Sequence, residues 1–177
     1  MPTDHATELV CRLADRLDIL EVLARLTWTG DFGDVEQVPR CYTADGYFDV
    51  SGLPLELNAD GRTVGHIALK KMYADIYAAN QGQSRHWIGS TYVEFGGSGA
   101  AVASSYFMII RVGHAPGSGI LLTGVYRDDL TRTGEGWRIS GRRCAMDPLP
   151  EHRDATPTDV FVRLHDRLRP KFNGFVR

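Results

Sequence analysis

Proton transfer near neutral pH is histidine chemistry, and this sequence carries six histidines: His5, His66, His86, His114, His152 and His165. No two stand at a ligand spacing such as His-x-x-x-His, so the pattern gives no reason to expect a metal. Five of them fall in expected termini, loops or helix ends, where a histidine is ordinarily a surface residue. His86 stands apart, in Ser84-Arg85-His86-Trp87-Ile88-Gly89-Ser90 at the start of a long strand-like run. Alternation sets His86, Ile88, Ser90 and Tyr92 on one face and Trp87, Gly89 and Thr91 on the other. One reading of His86 is a buried structural histidine with a backbone partner. The other is a general acid or base at a pocket mouth, which needs a carboxylate to orient the ring. Asp31, in Gly30-Asp31-Phe32-Gly33-Asp34, is the best candidate for that carboxylate. A turn or helix cap would also suit it, but Asp34 is better placed for capping. Asp45 and Asp49 suit a turn and a strand end.

Pocket walls come from neighbouring strands. Ser104, Tyr106, Met108 and Ile110 share one face of one strand, and Leu122, Gly124, Tyr126 and Asp128 share one face of the next. Such stripes are ordinarily core, but a curved sheet closed by helices can also leave an apolar cavity inside. Tyr106 and Tyr126 would then be polar handles in an apolar wall. Trp28, Val50 and Met108 complete the expected substrate-binding set. There is no Gly-x-Ser-x-Gly and no P-loop. The glycines of 96–99 and 113–119 lie between strands and read as turns, not as a dinucleotide site.

The elements that must position these groups change character near residue 84, from helical to strand-like. A short helix is expected from Asp4 to Asp15, and a second with Ile19, Leu23 and Leu26 on one face, its N-terminal end suited by Asp15 and Asp18 and its end at Gly30. A short helix begins at Asp34, with Pro39 near its end. Gly46–Val50 reads as a strand, 53–61 as a loop or hairpin, and His66–Asn80 as a helix. Four strands follow, Arg85–Phe95, Ala100–Val112, Gly119–Thr131 and Gly136–Met146, with turn signals between them. Their short connections predict an antiparallel meander, and the whole an α+β domain over residues 1–147. Residues 148–177 are expected to form a C-terminal extension of the same unit, with a helix over 159–168.

At 177 residues the chain has the size of one domain. Its 43% apolar and 24% charged residues are those of an ordinary globular protein. No apolar run reaches the roughly 18 residues of a membrane helix, and the first fifteen residues have no signal-peptide core. The formal charge of −2 argues against a nucleic-acid binder. Three scattered cysteines, Cys11, Cys41 and Cys144, suit a reducing, cytoplasmic setting and no disulfide framework.

Helices, a strand, a helix and then a meander ending in Gly136-Trp137-Arg138-Ile139 make a recognisable order. With Asp31-Phe32-Gly33-Asp34, Gly65-His66, Arg85-His86-Trp87 and Ser105-Tyr106-Phe107, the chain over about residues 10–147 resembles the SnoaL-like group of the nuclear transport factor 2 superfamily. Within it the scytalone dehydratase-like group is the nearest match. The resemblance implies a cone-shaped α+β barrel and, through Asp31 and His86, an Asp–His dyad. It also implies a cofactor-free lyase that eliminates water from an apolar, oxygenated small molecule of polyketide, steroid or aromatic type. The chain departs from that group at Gly30, Val50 and Met108, which stand where the dehydratase has two tyrosines and a second histidine, so scytalone itself is not the expected substrate. An isomerase or cyclase, or a non-catalytic subunit such as the β-subunit of a ring-hydroxylating oxygenase, are the alternatives within the superfamily. A homodimer or homotrimer is expected, through an outer sheet face carrying Trp87, Phe107, Ile109 and Val125.

Overall fold

A computed structural model describes residues 2–51, 61–97, 99–113 and 119–147. The expected loop at 53–60, the turn around His114, the extension after Pro148 and its helix over 159–168 lie outside the described residues.

One long helix, α1 (Pro2–Phe32), replaces the two expected at the start. The span Thr3–Thr29 contains neither proline nor glycine, so nothing breaks it. Asp15 does not cap a second helix. It takes a hydrogen bond from the Trp137 indole at 3.1 Å and pairs with Arg132, which ties the middle of α1 to the sheet. Ile19, Val22, Leu23 and Leu26 form the buried stripe below that tie. The helix passes through Gly30 and ends at Gly33, whose φ of 72° lies in the left-handed region that glycine enters without strain. Its N–H closes on the Thr29 carbonyl at 3.0 Å. Asp31 therefore sits in the last turn of α1 and not beyond it.

A 3₁₀ turn (Val35–Gln37) leads into one short turn of helix, α2 (Val38–Cys41), with Pro39 in its first turn, where a missing N–H costs nothing. Strands β1 (Tyr42–Ser51) and β2 (Arg62–Val64) pair antiparallel, helix α3 (His66–Ala79) follows, and β3 (Ser84–Phe95), β4 (Ala100–Arg111), β5 (Gly119–Thr133) and β6 (Gly136–Met146) form the meander. The sheet runs β2-β1-β6-β5-β4-β3. Its meander is antiparallel as expected, but β1 joins β6 in parallel, so the sheet is mixed. No tight turn links β1 to β6, and so nothing constrains them to run opposite ways.

Helices α1 and α3 cover the concave face of the sheet, with Leu69, Tyr73, Phe48, Phe107, Tyr126, Leu130, Trp137 and Ile139 buried between. Two bulges decide which side chains enter this interior. In β3 the register slips between Gly89 and Tyr92, with Ser90 at φ 51°. His86 and Ile88 face inward before the slip, and Thr91 and Val93 after it, while Tyr92 is turned out to solvent. In β6 the slip beside Ser140 turns Arg142 and Cys144 inward, after Trp137 and Ile139. In β4 the inward residues are Ser105, Phe107 and Ile109, so the expected facing of that strand is reversed. Trp87 and Val125 do lie on the outer face, whereas Phe107 is core and Ile109 packs against it.

Candidate functional site

Asp31 and His86 meet where the end of α1 touches the start of β3. The Asp31 carboxylate, 6% exposed, lies 2.6 Å from Nδ1 of His86, whose ring is 17% exposed. The same carboxylate accepts the His86 backbone N–H, at 2.9 Å to one oxygen and 3.2 Å to the other. One acidic group thus fixes both the strand and the ring it carries. A carboxylate already accepting a backbone N–H takes its hydrogen from Nδ1 as well, which leaves Nε2 as the ring nitrogen with a lone pair. Arg85 braces the junction from behind. Its Nη1 donates to the Gly82 carbonyl at 2.9 Å and the Asp31 carbonyl at 3.3 Å, and its guanidinium lies 4.6 Å over the Phe32 ring.

His86 borders two cavities. The outer one, of about 350 Å³, lies between α1 and β3. Leu20, Leu23, Ala24 and Trp28 line it from the helix, and Trp87, Ile88 and Thr91 from the strand. The inner one, of about 50 Å³, reaches under the sheet to Phe48, Tyr73, Tyr126 and Arg142. Thr27, His86 and Ile88 line both and stand between them.

The floor of the inner cavity is polar. Arg142 gives Nε and Nη2 to the two oxygens of Asp128, at 2.7 and 3.0 Å, and neither side chain is more than 4% exposed. Burial works against the guanidinium's charge, but the Asp128 carboxylate outweighs it and holds Arg142 above its ordinary range. Arg142 also stacks over the Tyr126 ring at 4.3 Å, and Tyr126 in turn stacks on Phe107. Tyr42 and Tyr73 share a hydrogen bond of 3.1 Å. Burial pushes Tyr73 up to about 12 and holds Tyr126 well above the ordinary phenol range, so these phenols stay protonated and can donate.

Of the residues expected at the site, Asp31, His86, Trp28 and Tyr126 come together around the two cavities. Trp28 stacks on Phe32 at the rim of the outer one. Val50 packs against the core without lining either cavity. Tyr106, 66% exposed, and Met108 lie on the outer face of the sheet, away from His86's cavities, because β4 presents its odd-numbered side chains inward. Sequence reasoning missed Arg142, Tyr73 and Thr27. Strand alternation from Trp137 and Ile139 sends Arg142 outward, and only the slip at Ser140 brings it in. Among the described residues no group of three or more His, Cys, Asp or Glu side chains could hold a metal, and no helix is long and apolar enough to cross a membrane.

Residues 11–143 match the family described as the SnoaL-like domain. No curated protein matches the sequence. Among solved structures, the chain is similar to an NTF2-like protein with a cystatin-like fold from Novosphingobium aromaticivorans, at 24% identity over 88% of this chain and 92% of that one, with a TM-score of 0.69. It is also similar to Rv3472, a protein of unknown function from Mycobacterium tuberculosis, at 25% identity over 84% and 81%, with a TM-score of 0.66. A third likeness is to ActVI-ORFA from Streptomyces coelicolor, at 18% identity over 76% and 96%, with a TM-score of 0.64. Helices on a curved six-stranded mixed sheet are the NTF2-like cone.

Proposed function

Because the chain belongs to the SnoaL-like domain family, we propose that it is a small-molecule lyase whose base is His86, oriented by Asp31. The observation that carries this reading is the 2.6 Å contact between Asp31 and Nδ1 of His86 on the wall of a cavity of about 350 Å³. A volume near the lower end of ligand pockets suits a compact molecule. Leucine, alanine, isoleucine and tryptophan side chains in the lining suit an apolar one.

Nε2 of His86 takes a proton from the carbon next to the substrate's carbonyl, and the electron pair of that C–H bond moves onto the carbonyl oxygen as an enolate. The enolate then reforms the carbonyl and expels a hydroxyl from the β-carbon. That hydroxyl takes the proton from the His86 imidazolium and leaves as water. Asp31 steadies the imidazolium while it exists and returns the ring to the same tautomer afterwards. General-base catalysis of this kind supplies about 10²- to 10⁴-fold, and confinement of the substrate between α1 and β3 supplies positioning besides.

The test is a panel of β-hydroxy ketones on one- to three-ring skeletons, followed by the ultraviolet absorbance of the conjugated enone. Wild-type protein turns over at least one of them, and His86→Ala loses most of that rate while keeping its circular dichroism. Full turnover by His86→Ala would remove His86 from the chemistry and the proposal with it.

A further inference from the structure

The inner cavity holds two donors that the fold leaves unused. Asp128 occupies Nε and Nη2 of Arg142, and Nη1 has no partner among the described residues. The Tyr126 hydroxyl has none either. Both residues are more than nine-tenths buried, and both line the inner cavity, which His86 also borders. Neither atom is among the fully buried unpartnered ones, which are Thr43 Oγ1 and Gln83 Oε1, so both keep surface facing the cavity, where a ligand atom can accept from them.

The size and charge of the cavity say what that atom is. About 50 Å³ holds a carbonyl group and not a ring. The guanidinium is already neutralised by Asp128 at 2.7 Å, so the floor carries no net positive charge for a full carboxylate losing its water. A dipolar acceptor fits, and it fits better as negative charge develops on it.

We infer that Arg142 Nη1 and the Tyr126 hydroxyl form a carbonyl-binding subsite, and that the ligand is a ketone that reaches it past the side chains of Thr27, His86 and Ile88, which border both cavities. Its rings lie in the outer cavity, its α-carbon beside His86 and its oxygen in the inner cavity. This builds on the lyase reading for the role of His86, but the subsite's existence does not depend on it.

The test uses 1-tetralone, a bicyclic ketone with exchangeable α-protons, and reads two quantities on the same complex. The infrared stretch of the bound carbonyl reports the subsite, and α-proton exchange in D₂O reports the base. Wild-type protein should bind the ketone saturably, with its carbonyl stretch at lower frequency than in hexane. The Arg142→Gln/Asp128→Asn pair removes both charges together and with them the Nη1 donor. It should raise the stretch and weaken binding by about tenfold, the ratio expected for one lost hydrogen bond. Tyr126→Phe, which leaves the ion pair intact, should shift the stretch in the same direction. Absence of saturable binding, or the same frequency in wild type and both variants, overturns the inference. Exchange lost in His86→Ala with an unshifted wild-type carbonyl would uphold the base and reject the subsite. A shifted carbonyl with exchange indifferent to His86→Ala would do the reverse.

Discussion

Asp31 accepts from His86 twice, through the backbone N–H and through Nδ1, and a carboxylate can give each of them a charged oxygen. Asp31→Asn keeps the volume but offers one acceptor and two N–H groups. With the oxygen kept on the backbone N–H, the amide N–H faces Nδ1 and favours the tautomer that carries its proton on Nε2, which is no longer a base. The expected result is a fall in kcat of about 10²- to 10⁴-fold with KM little changed, measured on whichever ketone the wild type turns over. An Asp31→Asn protein with wild-type kcat would mean that Asp31 only fastens the strand. Arg142 and Asp128 behave differently, because their ion pair is structural as well as available to a ligand. Arg142→Met leaves Asp128, which has no exposed surface, charged and alone. That should cost about 3–5 kcal/mol, whereas Arg142→Met/Asp128→Leu should recover most of the loss. Urea midpoints of the two variants check this, and equal stability of the single variant and wild type would contradict it.

At the scale of elements, the site depends on two places where the chain leaves its regular path. Gly33 ends α1 two residues after Asp31 with φ at 72°, and a Cβ there would meet the Tyr77 ring at 2.9 Å. Gly33→Ala should therefore cost at least about 1–2 kcal/mol for the backbone alone and should slow turnover by shifting Asp31. Calorimetry and kcat together check this. Ser90 holds the β3 bulge at φ 51°, and Ser90→Gly should relieve part of a similar penalty, less about 0.5–1 kcal/mol of glycine's added chain entropy. A lower urea midpoint for Ser90→Gly would show that the serine is not strained. These same places mark the limit of what the sequence makes legible. The order of elements, the meander and the pairing of Asp31 with His86 follow from periodicity, turn signals and the family resemblance. The uninterrupted α1 does not, because Asp15 and Asp18 look like a cap when Asp15 in fact serves Trp137 and Arg132. Nor do the inward faces beyond a bulge. Period-two reasoning carries a strand only as far as the next extra residue, and Ser90 and Ser140 each reverse it. Thr91, Tyr92, Arg142 and Cys144 are among the side chains whose placement changes as a result.

For the molecule as a whole, the groups that the core keeps neutral set its response to alkali. All three cysteines lie among the described residues, Cys11 exposed and Cys41 and Cys144 buried. Burial pushes Cys41 from the ordinary 9.0 up to about 11 and Cys144 up to about 12, and Tyr73 from 10.0 up to about 12. In each case the folded protein holds a proton that the unfolded chain gives up at lower pH. The stability they share is fully present below about pH 9. It declines once the unfolded thiols ionise and is lost as pH rises through 11 and 12. Within that window each such group steepens the fall by up to about 1.4 kcal/mol per pH unit. Urea midpoints should therefore be level from pH 7 to 8.5 and drop progressively from 9 to 10.5. Cys41→Ala/Cys144→Ala starts lower, because two well-packed side chains are trimmed, but its curve should be flatter across the same window. Thiol titration gives an independent reading at pH 8, where a disulfide reagent should find one fast thiol in the native protein and three in urea. A midpoint constant up to pH 10.5, or three fast thiols under native conditions, would mean that the interior around Cys41 and Cys144 admits water. Water that reaches Cys144 would also reach the inner cavity, since Cys144 pairs across the strands with Tyr126 on the cavity's wall, and it would then compete with a ligand for the Tyr126 hydroxyl.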